Sequence, residues 1–203
     1  MMSAATGHRP WTEAGFFHWL ERQEGRHDLV DGAPRAMVGA TQRHDFVTTN
    51  LILALGNRLR GTGCRTGTSD TAIRIPGGNI RYPDAAVDCG RFDEASRAAT
   101  EPALVAEVLS PSTADFDQIE KLEEYRRVPT LRHILLVDPE QPRILLHTRD
   151  AAGQWSAATH AGLAAEVPLT ALGIALPLAE LYEGLTFRGQ PRLVMPEDTD
   201  MLA

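Results

Sequence analysis

Ala103-Leu104-Val105-Ala106-Glu107-Val108-Leu109 is apolar on both parities except for one carboxylate, and it stops after strand length at Ser110-Pro111. A strand with two apolar faces must be covered on both sides, which places it inside a sheet with helices above and below. The residues beyond it set the topology. Ser112 or Thr113 can cap a helix reaching to about Arg127, with Asp115 and Asp117 in its first turns. His133 to Val137 then reads as a second buried strand, Asp138-Pro139 as a turn, and Arg143 to Thr148 as its hairpin partner. Strand, helix, strand at this spacing predicts a right-handed crossover and a mixed sheet.

The rest of the chain supplies flanking elements. Thr12 to Arg22 predicts a short helix capped by Thr12, with Phe16, Trp19 and Leu20 on one face. Leu29-Val30 and Ala36-Met37-Val38, with Asp31-Gly32 between them, predict a hairpin. Thr41 caps a second helix running to Arg60, with Phe46, Val47, Ile52, Leu55 and Leu59 near helical spacing and Gly61 as its stop. Arg65 to Ile75 and Ile80 to Asp88 are extended segments joined at Pro76-Gly77-Gly78-Asn79. Trp155 to Thr159 and Ile174 to Leu176 read as further strands, and Leu178 to Tyr182 as a last helical turn. Residues 1–190 are expected to form one domain, and Pro191 to Ala203 a frayed acidic tail.

Composition excludes several classes of function. No apolar stretch reaches the ~18 to 20 residues of a membrane span, and Met1 to Trp11 has no apolar secretory core, so the expected compartment is the cytoplasm. Cys64 and Cys89 stand far apart without partners at metal-ligand spacing, so neither a structural zinc nor a disulfide framework is expected. A net charge of -7 argues against coating nucleic acid by bulk attraction, though not against a local basic groove.

Three charged residues stand out against this background. Asp84 follows Pro83 in an extended segment and Glu107 interrupts the central strand, both where the pattern calls for apolar residues. Burying an ionised carboxylate costs several kcal/mol unless it is paired or binds a metal, and two carboxylates converging on one cation would meet that cost. The alternative is that one sits in water at a strand end and the other pairs with an arginine. Lys121 is the only lysine in the chain, against nineteen arginines. Guanidinium cannot act as a base, whereas an amine can, so a lone lysine in an arginine-rich chain points to amine chemistry. Asp117, Lys121 and Tyr125 lie at i, i+4, i+8 on the helix after Glu107 and form one stripe, while Phe116, Ile119 and Leu122 are placed to dock on the sheet. The plainer reading of Asp117 and Lys121 is a surface ion pair worth only about 0.3 to 0.5 kcal/mol.

Tyr82-Pro83-Asp84, Leu104-Val105-Ala106-Glu107-Val108-Leu109-Ser110-Pro111-Ser112-Thr113, Asp117, Lys121, Tyr125 and Leu136-Val137-Asp138-Pro139 together resemble the Uma-two family of restriction-endonuclease-like proteins, within the PD-(D/E)XK nuclease superfamily. The resemblance extends from Asp28-Leu29-Val30-Asp31-Gly32, through Arg43-His44 and Asn50-Leu51, to Leu176-Pro177-Leu178. It implies an α/β (α+β) fold, a restriction-endonuclease-like mixed β-sheet flanked by α-helices, with an additional N-terminal helix and β-hairpin. It also implies a site in which Asp84 and Glu107 hold Mg2+, with Mn2+ as a substitute and the Val108 backbone carbonyl as a further ligand, while Lys121 assists the attacking water. His44, Asn50, Asp117 and Tyr125 are implied as accessory residues. In the superfamily the lysine usually stands two residues after the acidic residue on the same strand; that position here is Leu109, and Lys121 on the next helix takes its place. The implied substrate is nucleic acid, DNA ahead of RNA, with a homodimer suited to duplex substrate. A nuclease scaffold retained only for binding nucleic acid or protein is the alternative. An acyl hydrolase using Ser110 or Ser112 is disfavoured because no glycine-flanked nucleophile elbow is present.

Overall fold

The structure, a computed structural model, describes residues 10–37, 39–110 and 115–187, the side chains of residues 115–117 excepted. Val38, Ser112, Thr113 and the expected tail from Pro191 to Ala203 lie outside the described residues. Both helix starts read from the sequence hold. Helix α1 (Glu13–Leu20) is capped by the Thr12 side chain accepting from Gly15 N, and α2 (Gln42–Arg58) by Thr41 accepting from His44 N. Strands β1 (His27–Val30) and β2 (Ala33–Ala36) are joined by Asp31-Gly32, both with positive φ, as a two-residue hairpin turn requires. The second strand therefore starts at the turn itself, earlier than the apolar run Ala36-Met37-Val38 suggested.

The extended segments around Pro76–Asn79 form one hairpin divided between two sheets. Its outer part, β3 (Arg65–Thr68) and β6 (Ala85–Asp88), belongs to the main sheet, and its tip, β4 (Ile73–Arg74) and β5 (Ile80–Arg81), to a smaller one. The smaller sheet has the order β2-β1-β5-β4. The chain turns from one sheet into the other at Tyr82-Pro83-Asp84, where proline brings no N–H to a ladder.

The main sheet continues with β7 (Pro102–Val108), helix α3 (Asp115–Arg126), β8 (His133–Asp138), β9 (Arg143–Arg149) and β10 (Trp155–Ala161), in the order β10-β9-β8-β7-β6-β3. β7 and β8 are parallel and the other neighbours antiparallel, as a helical crossover between two buried strands demands. The two apolar parities of β7 are used on opposite sides. Leu104, Ala106 and Val108 pack with Val47, Leu51 and Leu55 of α2, while Val105 packs with Ile134, Tyr125 and Val128 at α3. Fully burying each such Leu, Ile or Val contributes about 1.5–3 kcal/mol. A short strand not read from the sequence, β11 (Glu166–Leu169), pairs with β12 (Ile174–Pro177), and α4 (Leu178–Leu181) closes against α2.

Two apolar expectations fail in the same way. Phe46 of α2 and Ile119 of α3 are exposed, because Val47, Leu51 and Leu55 on one helix and Leu122 and Tyr125 on the other take the sheet-facing positions. Among the described residues no helix is long and apolar enough to cross a membrane.

The cysteine expectation is corrected. Cys64 and Cys89 are joined in a disulfide across a sequence separation of 25. They stand one step beyond the Arg65↔Asp88 pair of β3 and β6, so the ladder itself brings them opposite each other. Cys64→Ser, or reduction of the wild type, is expected to lower the unfolding free energy by about 2–4 kcal/mol, the usual effect of opening a loop of this size. Denaturant titrations with and without reductant check this, and coincident curves would show that the bond does not form.

Candidate active site

The Ala85↔Ala106 pair, continued by one residue, sets Asp84 opposite Glu107 at the end of the β6–β7 ladder. Directly opposed residues on antiparallel strands have Cβ atoms about 4.5–5.5 Å apart, and the Asp84 charge adds to the upward push on the Glu107 carboxyl. Asp84 is buried, and its Oδ2 accepts the Val108 N–H at 2.8 Å and lies 3.2 Å from His44 Nε2 of α2. Glu107 shares the face of Val105 and meets α3. The Tyr125 hydroxyl donates to its Oε1 at 2.6 Å, and Lys121 Nζ lies 3.5 Å from the same oxygen. Each carboxylate thus has one oxygen engaged by donors of the described residues, Asp84 Oδ2 by the Val108 N–H and Glu107 Oε1 by the Tyr125 hydroxyl.

Burial sets the electrostatics. It pushes the Glu107 carboxyl up; Lys121 and the Tyr125 hydroxyl pull it back, Asp84 and Asp28 push it further, and the result is about 7. His44 is raised chiefly by its hydrogen bond to Asp84, against the opposing effect of burial. Burial, and then the Glu107 charge, lift Tyr125 well above an ordinary phenol, so its hydroxyl remains a donor.

A second charged group adjoins the first. The Leu29↔Ile80 pair, continued by one residue, sets Asp28 opposite Arg81, on the face that the apolar Phe16, Leu29 and Ile80 cluster leaves to α3. Arg81 is fully buried: its Nε donates to Glu124 of α3 at 2.5 Å and its Nη1 to Asp28 Oδ2 at 3.2 Å. Burial disfavours its charge, but Glu124 and Asp28 more than compensate and raise its pKa. Asp28 Oδ1 accepts the Tyr82 N–H at 3.0 Å, and Oδ2 lies 4.0 Å from Lys121 Nζ. Asn79 donates to the other Glu124 oxygen. Sequence patterns assign none of Asp28, Arg81 or Glu124 to the site, although Arg81 between Ile80 and Tyr82 carries the same signal as Glu107: a charge inside a buried run.

Of the residues proposed from the sequence, Asp84, Glu107, Lys121, Tyr125, Val108 and His44 are thus gathered at one end of the β6–β7 ladder. Asp117 falls within α3, but its side chain is outside the described residues. Asn50 is engaged elsewhere, donating to the carbonyls of Leu181 and Glu183 at the end of α4. Glu107, Val108, Lys121 and Tyr125 line a narrow cleft together with Leu109, Gln118, Leu122 and Leu136. Among the described residues no set of three or more His, Cys, Asp and Glu side chains gathers as a metal cage. One or two carboxylates are nevertheless what Mg2+ commonly takes from protein, since it keeps waters and substrate oxygens in its remaining positions. The residues present therefore fit a hard, small divalent cation.

A mixed sheet flanked by helices, as here, is a nuclease-like fold. The chain matches over residues 14–179 the model of the Uma2 family, described as "Putative restriction endonuclease", and it belongs to that family. It is 33% identical over 174 residues to the uncharacterized protein slr1290 of Synechocystis sp., covering 85% of this chain and 91% of that protein. It is 29% identical over 167 residues to the uncharacterized protein sll1609 of the same organism, covering 80% and 94%. Its fold is similar to that of the crystal structure of "a putative nuclease belonging to DUF820" from Anabaena variabilis ATCC 29413, with a TM-score of 0.68, 16% identity and coverage of 85% of this chain and 97% of that one.

Folded Glu107 releases its proton near pH 7, against 4.5 for an ordinary glutamate. Its contribution to stability is therefore complete below pH 4.5 and is lost as the pH rises through 7. In chelator, Glu107→Gln is expected to gain stability relative to wild type between about pH 5 and about pH 8, by a few kcal/mol at ~1.4 kcal/mol per pKa unit. Paired melting curves measure the difference, and one that stays flat across that range would contradict a burial-penalised Glu107.

Proposed function

We propose that this chain is a metal-dependent endonuclease that hydrolyses phosphodiester bonds of nucleic acid, DNA ahead of RNA. Asp84 and Glu107 would hold Mg2+ or Mn2+, with the Val108 backbone carbonyl as a further ligand. The observation that carries the reading is the Asp84 and Glu107 pair across one ladder with Lys121 Nζ 3.5 Å from Glu107. When bound, the cation supplies an acidified water and neutralises charge developing on the phosphate.

The chain's own residues do the rest. His44 and the Val108 N–H orient Asp84, and the Tyr125 hydroxyl orients Glu107. Lys121 Nζ lies 3.5 Å from Glu107 Oε1, and from there it would hold a phosphate oxygen or orient the attacking water. Glu107 keeps its proton up to about 7, so it would have to give up that proton to hold a cation below that pH. A two-fold pair of chains would present two sites to the strands of a duplex.

Purified protein should cleave DNA in Mg2+ or Mn2+ and not in chelator. Asp84→Ala and Lys121→Arg should each lower kcat by about 10²-fold or more, the usual scale for removing a group that acts in the transition state. Cleavage that survives chelator or Asp84→Ala would overturn the reading, and a wild type that cleaves neither DNA nor RNA would favour a binding role for the scaffold. Independently of cleavage, Mg2+ should raise the melting temperature more at about pH 8 than at about pH 5.5, since the ligand must be the carboxylate. An equal effect at both pH values would remove Glu107 from the cation site.

A further inference from the structure

We infer that Asp28, on the N-terminal hairpin, is a positioning residue that holds the Lys121 ammonium over the Asp84 and Glu107 pair. The inference deepens the nuclease reading and rests on it for its functional meaning.

Lys121 lies between two carboxylates on two different sheets, Glu107 at 3.5 Å and Asp28 at 4.0 Å. Asp28 is fixed from its other side. Its Oδ1 takes the Tyr82 N–H, two residues before Asp84, and its Oδ2 takes Arg81 Nη1. The simpler assignment, a counter-ion for Arg81, leaves part of the geometry unexplained. Arg81 already has the closer Glu124 at 2.5 Å and also lies 3.7 Å from Glu120, whereas its bond to Asp28 is single and longer, at 3.2 Å. Asp28, Glu107, Glu120 and Glu124 stand around the two cations, with Arg35 and Arg127 sharing Glu120 and Glu124, and the nearest counter-charge of Arg81 is Glu124 rather than Asp28. A buried carboxylate aimed at the flexible four-carbon arm of a lysine restricts where that arm can carry its amine.

The lone lysine makes a test possible that does not depend on cleavage. In chelator, the protein is treated with the N-hydroxysuccinimide ester of acetic acid, and acylation of Lys121 is followed by peptide mass. Asp28→Asn is expected to acylate Lys121 at least about fivefold faster than wild type, the floor set by one charge about 4 Å away at the dielectric of water. Leu29→Ala, which loosens the same strand while keeping the carboxylate, should stay within about twofold of wild type on the same electrostatic argument. Equal acceleration in Leu29→Ala, or none in Asp28→Asn, overturns the proposal. Should Asp28→Asn fail to fold, Asp28→Glu decides: retained protection of Lys121 supports the assignment and lost protection overturns it. In cleavage assays Asp28→Asn should lower kcat about tenfold or more while KM changes little, the signature of a group acting through the transition state. A change confined to KM would overturn the positioning role. A wild type that does not cleave would count against the nuclease reading alone, because the acylation result stands by itself.

Discussion

The buried Arg81 guanidinium is the interaction on which the placement of the site depends. Taking such a group out of water carries a penalty of several kcal/mol, and it is tolerated only where carboxylates with good geometry surround it. Here those carboxylates come from different elements: Asp28 from β1 and Glu124 from α3, while Arg81 itself stands on β5. One cation therefore ties the small sheet to the crossover helix of the large one. Among the described side chains of α3, Leu122 and Tyr125 pack inward and Ile119 is exposed. Apolar contact has little directional preference, and a charged bond of fixed direction adds one. With Glu124 fixed, Lys121 one turn earlier and Tyr125 beside it fall over Glu107.

Much of this was legible from periodicity. The doubly apolar run at β7, the helix after it and the buried run at β8 specified a parallel pair with a covering helix, because no other arrangement hides both faces of two such strands. The charges inside apolar runs marked Asp84 and Glu107 for the same reason. The disulfide was within reach as well. A hairpin folded about Pro76–Asn79 and traced to its base sets residue 64 opposite residue 91, close to Cys89, and a shift of register between the tip and the base of the hairpin brings Cys64 to Cys89 itself. Other features were not legible from local patterns. Which apolar residues of α2 and α3 face the sheet depends on helix rotation, and on α3 that rotation is set by Arg81 and Glu124. The partition of one hairpin between two sheets depends on the Pro83 corner and on β1 pairing with β5, a long-range contact with no signal in the hairpin itself.

The electrostatics of the pair have a direction of their own. Burial disfavours the charge of Glu107, the Asp84 charge adds to that effect, and Glu107 keeps a proton up to about 7. The Tyr125 hydroxyl, unable to ionise in that setting, donates to Glu107 in either state. A divalent ion would replace the proton as the neutralising charge, so metal affinity and proton release become two views of one equilibrium. Lys121 supplies part of that neutralisation and lowers the cost of an ionised Glu107.

The position of Lys121 separates this site from one whose amine stands on the strand. A lysine two residues after Glu107 would inherit its placement from the β-ladder, which is rigid; Leu109 occupies that position, and the amine arrives on a helix instead. The geometry of the amine then depends on how α3 docks, and α3 docks through Arg81 onto the N-terminal hairpin. In this chain the hairpin is thus part of the machinery that aims the lysine. Moving the amine from strand to helix transfers the demand for precision from a backbone ladder to a buried ionic network, and that is a physical reason for so polar a cluster to persist between two apolar cores.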